Sequence, residues 1–201
     1  MYEIRRMSQS DIANITDVHI KSFPGFFLTF MGKCFLSELY LGIVGDSAGI
    51  AFVYVKENRI LGFVAGTSQP AGFYSRLLYR HWWRFALASL VPILKKPSII
   101  SRLFHAFQKP QDVSNQAGVG SLMSIAVIPD AQGLGIGKAL VKVFLEESAN
   151  RGLKHIDLTT DKNNNDSANQ FYQNQGFQVS RTFVTPEGRE MNEYMIDVQH
   201  L

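Results

Sequence analysis

The segment from Ile125 to Lys138 constrains the fold and the chemistry of this chain more than any other. It reads IAVIPDAQGLGIGK and passes from a β-branched strand through a glycine-rich turn into a helix that runs to Asn150. Glycines let a backbone come close to a ligand, and the start of a helix offers unpaired N–H groups with a partial positive charge. The segment therefore predicts a site for a phosphate-bearing ligand.

Two common nucleotide-binding motifs do not fit the spacing of these glycines. A P-loop ends in Lys followed by Ser or Thr, whereas Lys138 is followed by Ala139. The dinucleotide fingerprint G-x-G-x-x-G opens a βαβ unit, whereas Gly133, Gly135 and Gly137 alternate with other residues past the middle of the chain. The spacing therefore disfavours ATP held by a P-loop and a dinucleotide held by a Rossmann turn.

A second motif lies about thirty residues further along the chain. It follows the pattern N-x-x-A-x-x-F/L-Y-x-x-x-G-F, with the residues Asn165, Ala168, Phe171, Tyr172, Gly176 and Phe177. The first motif follows the pattern Gln/Arg-x-x-Gly-x-Gly/Ala through Gln132, Gly135 and Gly137. Together, and in this order, the two motifs resemble those of the GNAT (GCN5-related N-acetyltransferase) superfamily.

The resemblance implies an α/β (α+β) fold with a central mixed, mostly antiparallel sheet flanked by helices. It implies one domain over residues 1–201, with an inserted helical segment around residues 70–115. Residue patterns independently predict strands at 2–6, 51–55, 60–65, 122–127, 155–160, 177–184 and 191–198, and helices at 9–22, 26–40, 74–94, 98–107, 137–150 and 167–175. Residues 56–59 form a predicted hairpin turn in which Asn58 tolerates a positive φ.

The resemblance also implies the cosubstrate, acetyl-CoA, and the residues that would bind it. In the family, the strand before the glycine turn separates from its neighbour and pairs with the pantetheine arm, while the turn holds the pyrophosphate. The implied binding residues are Ile125, Ala126, Val127, Gln132, Gly133, Leu134, Gly135, Ile136, Gly137, Lys138, Asn165 and Tyr172.

Tyr172 occupies the family's general-acid position, where a phenol with a pKa near 10 suits protonation of the departing thiolate. Packing beside Phe171 and Phe177 is the structural alternative. No general base follows from the sequence, because the strand that often carries a Glu in relatives reads IDLTT at 156–160. Candidates that do not clearly fill this role are Asp157, Asp161, Glu38, His19 and His105.

The charge of the chain is concentrated in the inserted segment. No Asp or Glu occurs between Asn58 and Gln111, whereas eight basic residues do, among them Arg76, Arg80 and Arg84. Three explanations stay open: recognition of an anionic substrate such as a nucleotide-linked amino sugar, contact with an anionic membrane surface through Trp82 and Trp83, or a helical segment without a ligand. The membrane contact is not favoured, and nucleic acid is not expected because no such motif accompanies the charge.

The expected function is transfer of an acetyl group from acetyl-CoA to a primary amine of a small acceptor, with an anionic acceptor such as an amino sugar as one case. The alternatives are a catalytically silent acyl-CoA-binding module and a protein N-acetyltransferase. The only cysteine, Cys34, is expected to be a buried core thiol, and the histidines show no metal-ligand spacing. The chain is expected to be cytoplasmic, because it shows no signal segment and no disulfide framework, and to be a monomer or a homodimer.

Overall fold

A computed structural model describes residues 2–95 and 117–199 and contains one seven-stranded sheet. The strand order across the sheet is β1-β2-β3-β4-β5-β7-β6. The strands are β1 (Tyr2–Arg6), β2 (Gly49–Lys56), β3 (Arg59–Thr67), β4 (Val119–Val127), β5 (His155–Asp161), β6 (Gln178–Val184) and β7 (Glu190–Asp197). All seven predicted strands are present, and both Glu57 and Asn58 have a positive φ in the β2–β3 turn.

Five α-helices occur in the part of the chain that is described, and α3 packs on α2. They are α1 (Ile12–Ser22), α2 (Phe27–Gly45), α3 (Phe73–Lys95), α4 (Ile136–Asn150) and α5 (Asp166–Asn174). The second helix extends further than the predicted 26–40, and α3 continues through Pro92. The helix predicted at 98–107 lies outside the described residues.

The sheet is antiparallel except between β4 and β5. These two strands run parallel and pair at only three positions, where residues 119–121 face residues 155–157. Beyond Ser121 and Asp157 they separate, while β4 stays paired with β3 and β5 stays paired with β7. The fold therefore contains a gap between two strands that are each supported on their other edge.

A β-bulge marks the point at which β4 starts to leave β5. In the β3–β4 register, Gly66 faces Leu122 and Ala65 faces Ser124, so that Met123 is the additional residue. A bulge bends its strand and increases the local twist. The bend falls two residues after the last β4–β5 pair and helps to open the gap.

Two separate apolar cores cover the two faces of the sheet. One contains buried residues of α1, α2 and α3, with Ile15, Phe35 and Phe63 completely or almost completely buried. The other contains residues of α4 and of the C-terminal strands, among them Phe144 and Tyr194. We call these sides the α1–α3 side and the α4 side of the sheet.

Helix α2 is apolar and, at 19 residues, is a candidate membrane span by length and composition alone. Gly32, at φ 83° and ψ 177°, interrupts the helix. The uninterrupted part over residues 33–45 is about 20 Å long, whereas a bilayer core is about 30 Å thick. Because Leu36, Tyr40 and Ile43 are buried in the α1–α3 core, α2 is a core helix of this fold.

The expectation that Cys34 is a buried core thiol is wrong, because its side chain is exposed. The buried residues of α2 recur at helical spacing, with Leu36, Tyr40 and Ile43 on one side. At 100° per residue, Cys34 lies about 160° around the helix axis from Leu36. The aromatic composition of the segment suggested burial on all sides, whereas the helix buries only one.

Helix α3 carries apolar residues on two sides. Phe73, Leu77 and Phe85 are buried against α2, and Gly42 of α2 allows the close approach because a Cβ there would overlap the Leu77 side chain. A second stripe of large apolar residues is exposed: Tyr79, Trp82, Trp83, Leu87, Leu90 and Leu94. The predicted insertion is thus attached to the core by one side of its first helix.

Candidate functional site

A cleft of about 850 Å³ opens where β4 and β5 separate. One part of its wall consists of the glycine turn, the start of α4 and residues of α5. The opposite part consists of aromatic and aliphatic residues from the α1–α3 side. Eleven of the twelve predicted binding residues line this cleft; Leu134 does not, since it lies on the outer side of the turn and is 70% exposed.

The backbone of β4 presents an unpaired edge to the gap. Ile128 donates its N–H to the Leu61 carbonyl at 2.9 Å, which fixes the alternation of the β3–β4 ladder. Every second residue of an antiparallel strand directs its backbone groups away from its partner, and here these are Ile125 and Val127. The Val127 carbonyl accepts hydrogen bonds from Ser22 Oγ at 3.1 Å and Gln132 Nε2 at 3.3 Å. The remaining edge groups can pair with an extended ligand as an added strand would.

The glycine turn leads from this edge into α4. Gly133 and Gly135 have φ values of 77° and 78°, a conformation that residues with a side chain rarely adopt. Among the described residues, and apart from the two chain neighbours, no atom lies within 4 Å of a Cβ built at either position, so the described surface above the turn is open. Buried Ala131 and Ile136 anchor the turn at both ends. The strain-free left-handed turn and the open space above it fit a ligand that lies directly on the backbone.

The first N–H groups of α4 point out of the helix end. The N–H of Ala139 is bonded to the Gly135 carbonyl at 3.0 Å, so the N–H groups of residues 136–138 precede the first helical hydrogen bond. Together with Lys138 on the cleft wall, they supply donors and positive charge for phosphate oxygens.

Gly137 allows close helix packing, unlike the other two glycines of the turn. A Cβ at this position would lie 3.2 Å from Cζ of Phe171, closer than an ordinary contact. The missing side chain lets α5 pack against the start of α4, and this packing places the two motifs of the sequence on one cleft.

The ring of Tyr172, on α5, packs against other aromatic rings. Its ring contacts those of Phe171, Phe177 and Tyr194, with centroid distances between 5.3 and 6.0 Å. Its hydroxyl makes no hydrogen bond to the residues that the structure describes, and burial raises the pKa of this phenol to about 12. Tyr172 thus carries a proton at the cleft throughout the neutral pH range.

Asn165 organises the loop between β5 and α5. Its amide donates to Thr160 Oγ1 at 2.7 Å and to the Asp161 carbonyl at 3.3 Å. The Asp161 carboxylate in turn receives a bidentate ion pair from Arg189, with distances of 2.6 and 2.7 Å. These contacts are structural, and they hold the β5 side of the gap.

A chain of three polar side chains crosses the α1–α3 side of the cleft. His19 Nδ1 lies 2.6 Å from Tyr40 Oη, which lies 3.1 Å from Ser124 Oγ on β4. Burial lowers the pKa of His19 to about 4 and keeps the imidazole neutral, and burial also raises the pKa of Tyr40. Sequence reasoning missed Tyr40 and Ser124, because residues 84 positions apart meet only through the packing of α2 on the sheet.

The family model for the "Acetyltransferase (GNAT) family" matches residues 12–177. This chain belongs to the GNAT acetyltransferase family. It is therefore an acyltransferase that uses acetyl-CoA, and the predicted GNAT fold is confirmed. No curated protein sequence matches the chain.

Solved structures of other proteins agree with this assignment of the fold. A putative GNAT acetyltransferase from Desulfovibrio desulfuricans is 16% identical, with a TM-score of 0.68 over 98% of this chain and 99% of the other. The ribosomal-protein-S18-alanine N-acetyltransferase from Escherichia coli is 14% identical, with a TM-score of 0.61 over 100% and 96%. The PaiA N-acetyltransferase from Thermoplasma acidophilum, solved with coenzyme A, is 14% identical, with a TM-score of 0.58 over 96% and 98%.

The residues considered as a general base in this GNAT protein differ in whether they line the cleft. His19 and Asp161 line the cleft, and Asp161 is paired with Arg189. Glu38 pairs with Arg84 at 3.3 Å, and Asp157 is buried; neither is part of the cleft wall formed by described residues. His105 lies outside the described residues. In the described part of the GNAT site, no carboxylate without an ion-pair partner lines the cleft to act as a base.

Two of the three arginines considered for an anionic substrate, Arg76 and Arg84, are engaged elsewhere. Arg76 donates to the Ala71 and Gln69 carbonyls at 2.6 and 2.8 Å. Arg84 lies against Glu38 and over the ring of Trp83. Neither belongs to the described cleft wall, and the side chain of Arg80 is outside the description.

The glycine turn gives the first prediction. Gly135→Glu places a carboxylate where the pyrophosphate would lie, and we expect it to abolish thermal stabilisation by acetyl-CoA. For the wild type, ligand at 100 times its Kd contributes about 2.7 kcal/mol, or roughly 5–10 °C in Tm for a chain of this size.

Gly152→Glu is the matched control, because Gly152 follows the other end of α4 with φ 77° and open space around it. It carries the same backbone strain and the same added charge, and it should keep the shift with acetyl-CoA. Equal shifts in both variants would contradict the assignment of the turn.

The environment of His19 gives the second prediction. NMR titration, with His19→Gln used to assign the resonance, should give a pKa of about 4. Since unfolded His19 binds its proton near pH 6.5, this residue makes the free energy of unfolding fall as the pH drops from 6.5 towards 4. A His19 that titrates near 6.5 in the folded protein would show that it is not buried as described.

Proposed function

We propose that this protein transfers the acetyl group of acetyl-CoA to the primary amine of a small molecule by direct attack. The observation that carries the proposal is the convergence of three features on one cleft. These are the free edge of β4, the open glycine turn with the start of α4, and the unbonded hydroxyl of Tyr172. Backbone donors and one phenol proton are what such a transfer requires of the protein.

Acetyl-CoA would supply the activated thioester, and the residues present fit it. The N–H groups of residues 136–138 and Lys138 would hold its phosphates, and the edge at Ile125 and Val127 would pair with its extended arm. The N–H groups of this edge also favour negative charge on an oxygen placed against them. The amine approaches from the other side of the gap.

Tyr172 is proposed as the general acid. When the neutral amine nitrogen bonds to the acetyl carbon, the bond to sulfur breaks and the departing thiolate takes the phenol proton. The acylated nitrogen releases its surplus proton to water, and water returns a proton to the phenol. A pKa of about 12 ensures that the proton is present at every physiological pH. It also makes Tyr172 a weak acid, so its effect depends on the hydroxyl being held in place by the surrounding rings.

The acceptor must reach the site as a neutral amine, because a protonated nitrogen has no lone pair. With Asp161 paired to Arg189 and His19 buried, we propose no dedicated base, and the amine loses its proton to solvent. Location in the cytoplasm is likewise a proposal, supported by the acetyl-CoA dependence of the family and by the exposed unpaired thiol of Cys34.

The pH dependence of the reaction is the third prediction. The value of kcat/KM should rise tenfold per pH unit up to the pKa of the amine used and then level off. Tyr172, with its pKa near 12, should cause no loss of activity below about pH 10. A bell-shaped profile with a descending limb between pH 7 and 9 would contradict the state proposed for Tyr172.

Removal of the Tyr172 hydroxyl is the fourth prediction. Tyr172→Phe should lower kcat by about 10²-fold and leave the KM of acetyl-CoA unchanged, because the lost group acts only as the thiolate departs. Release of free CoA measures both constants. Full activity of Tyr172→Phe on any amine would exclude the general-acid role.

Tyr194→Phe is the control for this substitution. The Tyr194 ring is 6.0 Å from that of Tyr172, and its hydroxyl donates to Asn169 Oδ1 at 2.9 Å away from the cleft wall. Its loss should lower Tm and leave kcat unchanged. If no amine in a broad panel releases CoA although acetyl-CoA stabilises the protein, the silent acyl-CoA-binding alternative replaces the enzyme.

A further inference from the structure

The wall of the cleft on the α1–α3 side is almost entirely apolar. We call this part the acceptor chamber; its main side chains are Phe23, Phe26, Phe27, Leu28, Leu39 and Tyr74. They come from the end of α1, the following loop, α2 and α3, and all but Phe26 belong to the α1–α3 core or pack against it. A molecule bound in the chamber therefore mainly contacts carbon atoms of the protein and keeps little of its hydration.

The part of the chamber wall that the structure describes has no charge to match a charged acceptor body. None of its described lining residues is Asp, Glu, Lys or Arg. The nearby acidic residue Glu38 is bound to Arg84, and Arg76 is bound to backbone carbonyls. A polyamine or an aminoglycoside would bring positive charges, and a sugar phosphate would bring negative ones, against described side chains that carry no counter-charge.

The hydrogen-bonded chain of His19, Tyr40 and Ser124 brings polar groups into this chamber. The hydroxyls of Tyr40 and Ser124 can each donate or accept in these hydrogen bonds. In either direction, Ser124 Oγ keeps a lone pair that can accept an N–H from a bound group.

The position of Ser124 connects this feature with the reaction. Ser124 lies on β4, directly before Ile125, whose backbone groups point into the gap. The phosphate-binding turn and Tyr172 lie with α4 and α5, whereas Ser124 and the chamber lie on the α1–α3 side. An amine bound at Ser124 therefore faces a thioester in the gap from the opposite side.

We infer that the acceptor is a primary amine on an uncharged, apolar body, aromatic or alkyl, with its nitrogen at Ser124 and its body in the acceptor chamber. This inference rests on the proposed acetyl transfer and specifies its substrate class. The rival occupant of the chamber is the chain of a longer acyl donor, which the experiment below separates from the acceptor.

The first test compares amines by release of free CoA, with kcat/KM calculated for the neutral form of each amine. 2-Phenylethylamine and hexylamine should exceed spermidine and glucosamine 6-phosphate by about 100-fold, the effect of burying one large apolar group. A preference for spermidine or glucosamine 6-phosphate overturns the inference and leaves the proposed function intact. If none of the four amines releases CoA while another amine of the broad panel does, the inference fails and the proposed function stands; if no amine of the panel does, both fail.

A second part of this test varies the acyl donor: hexanoyl-CoA replaces acetyl-CoA with the same amines. If the chamber holds the acceptor, hexanoyl-CoA should be at least tenfold worse than acetyl-CoA with 2-phenylethylamine, because the two apolar groups compete for one space. If hexanoyl-CoA is the better donor, the chamber belongs to the acyl chain and the inference is wrong.

A matched pair of variants tests the chamber itself. Phe26 and Phe30 are similarly exposed, at 47% and 45%, and lie about one helical turn apart, but only Phe26 belongs to the described cleft wall. Phe26→Asp should lower kcat/KM for 2-phenylethylamine about tenfold and raise it for spermidine, whereas Phe30→Asp should change neither. Stabilisation by acetyl-CoA should persist in both variants. Equal effects of the two substitutions would overturn the inference.

Ser124→Ala tests the placement of the nitrogen. We expect kcat/KM for 2-phenylethylamine to fall about tenfold while the KM of acetyl-CoA stays the same. A merely structural role of Ser124 would disturb both substrates or neither, and either result would show that the amine does not bind there.

Discussion

The separation of β4 from β5 is the constraint on which the rest of this structure depends. Three residue pairs join the strands, and then β4 follows β3 while β5 follows β7. The unpaired edges would be costly in a dry interior, because buried backbone groups need partners. The protein tolerates them since they face a cleft, where the unpaired backbone groups are free to bond to an extended ligand.

Packing holds the sheet together across the gap. The α4 core contains Phe52 and Val64 from one side of the gap and Ile156 and Tyr194 from the other, and each face of the sheet has its own packed layer of helices. The two layers also carry different parts of the site. The glycine turn and Tyr172 lie with α4 and α5, and the apolar chamber lies with α1–α3. Two substrates can thus approach the same opening from opposite faces.

The local elements of the site were predictable from sequence, whereas its tertiary contacts were not. Gly133 and Gly135 occupy conformations that glycine favours, and the strand–turn–helix pattern indicated them directly. Cys34 was misjudged because composition does not say which side of a helix is buried. The bulge at Met123 and the contact of Tyr40 with Ser124 arise from strand register and helix packing, which a single sequence does not encode locally.

The gap in the sheet is also a boundary in the chain. Strands β1 to β4 pair in sequence order, each with the next, and β5, β6 and β7 pair only among themselves apart from the three positions next to β4. The junction between the two groups has the fewest residue pairs of any two neighbouring strands in the sheet. We therefore expect the sheet to open first at this junction, so that the seam beside the cleft is also the joint between two groups of strands.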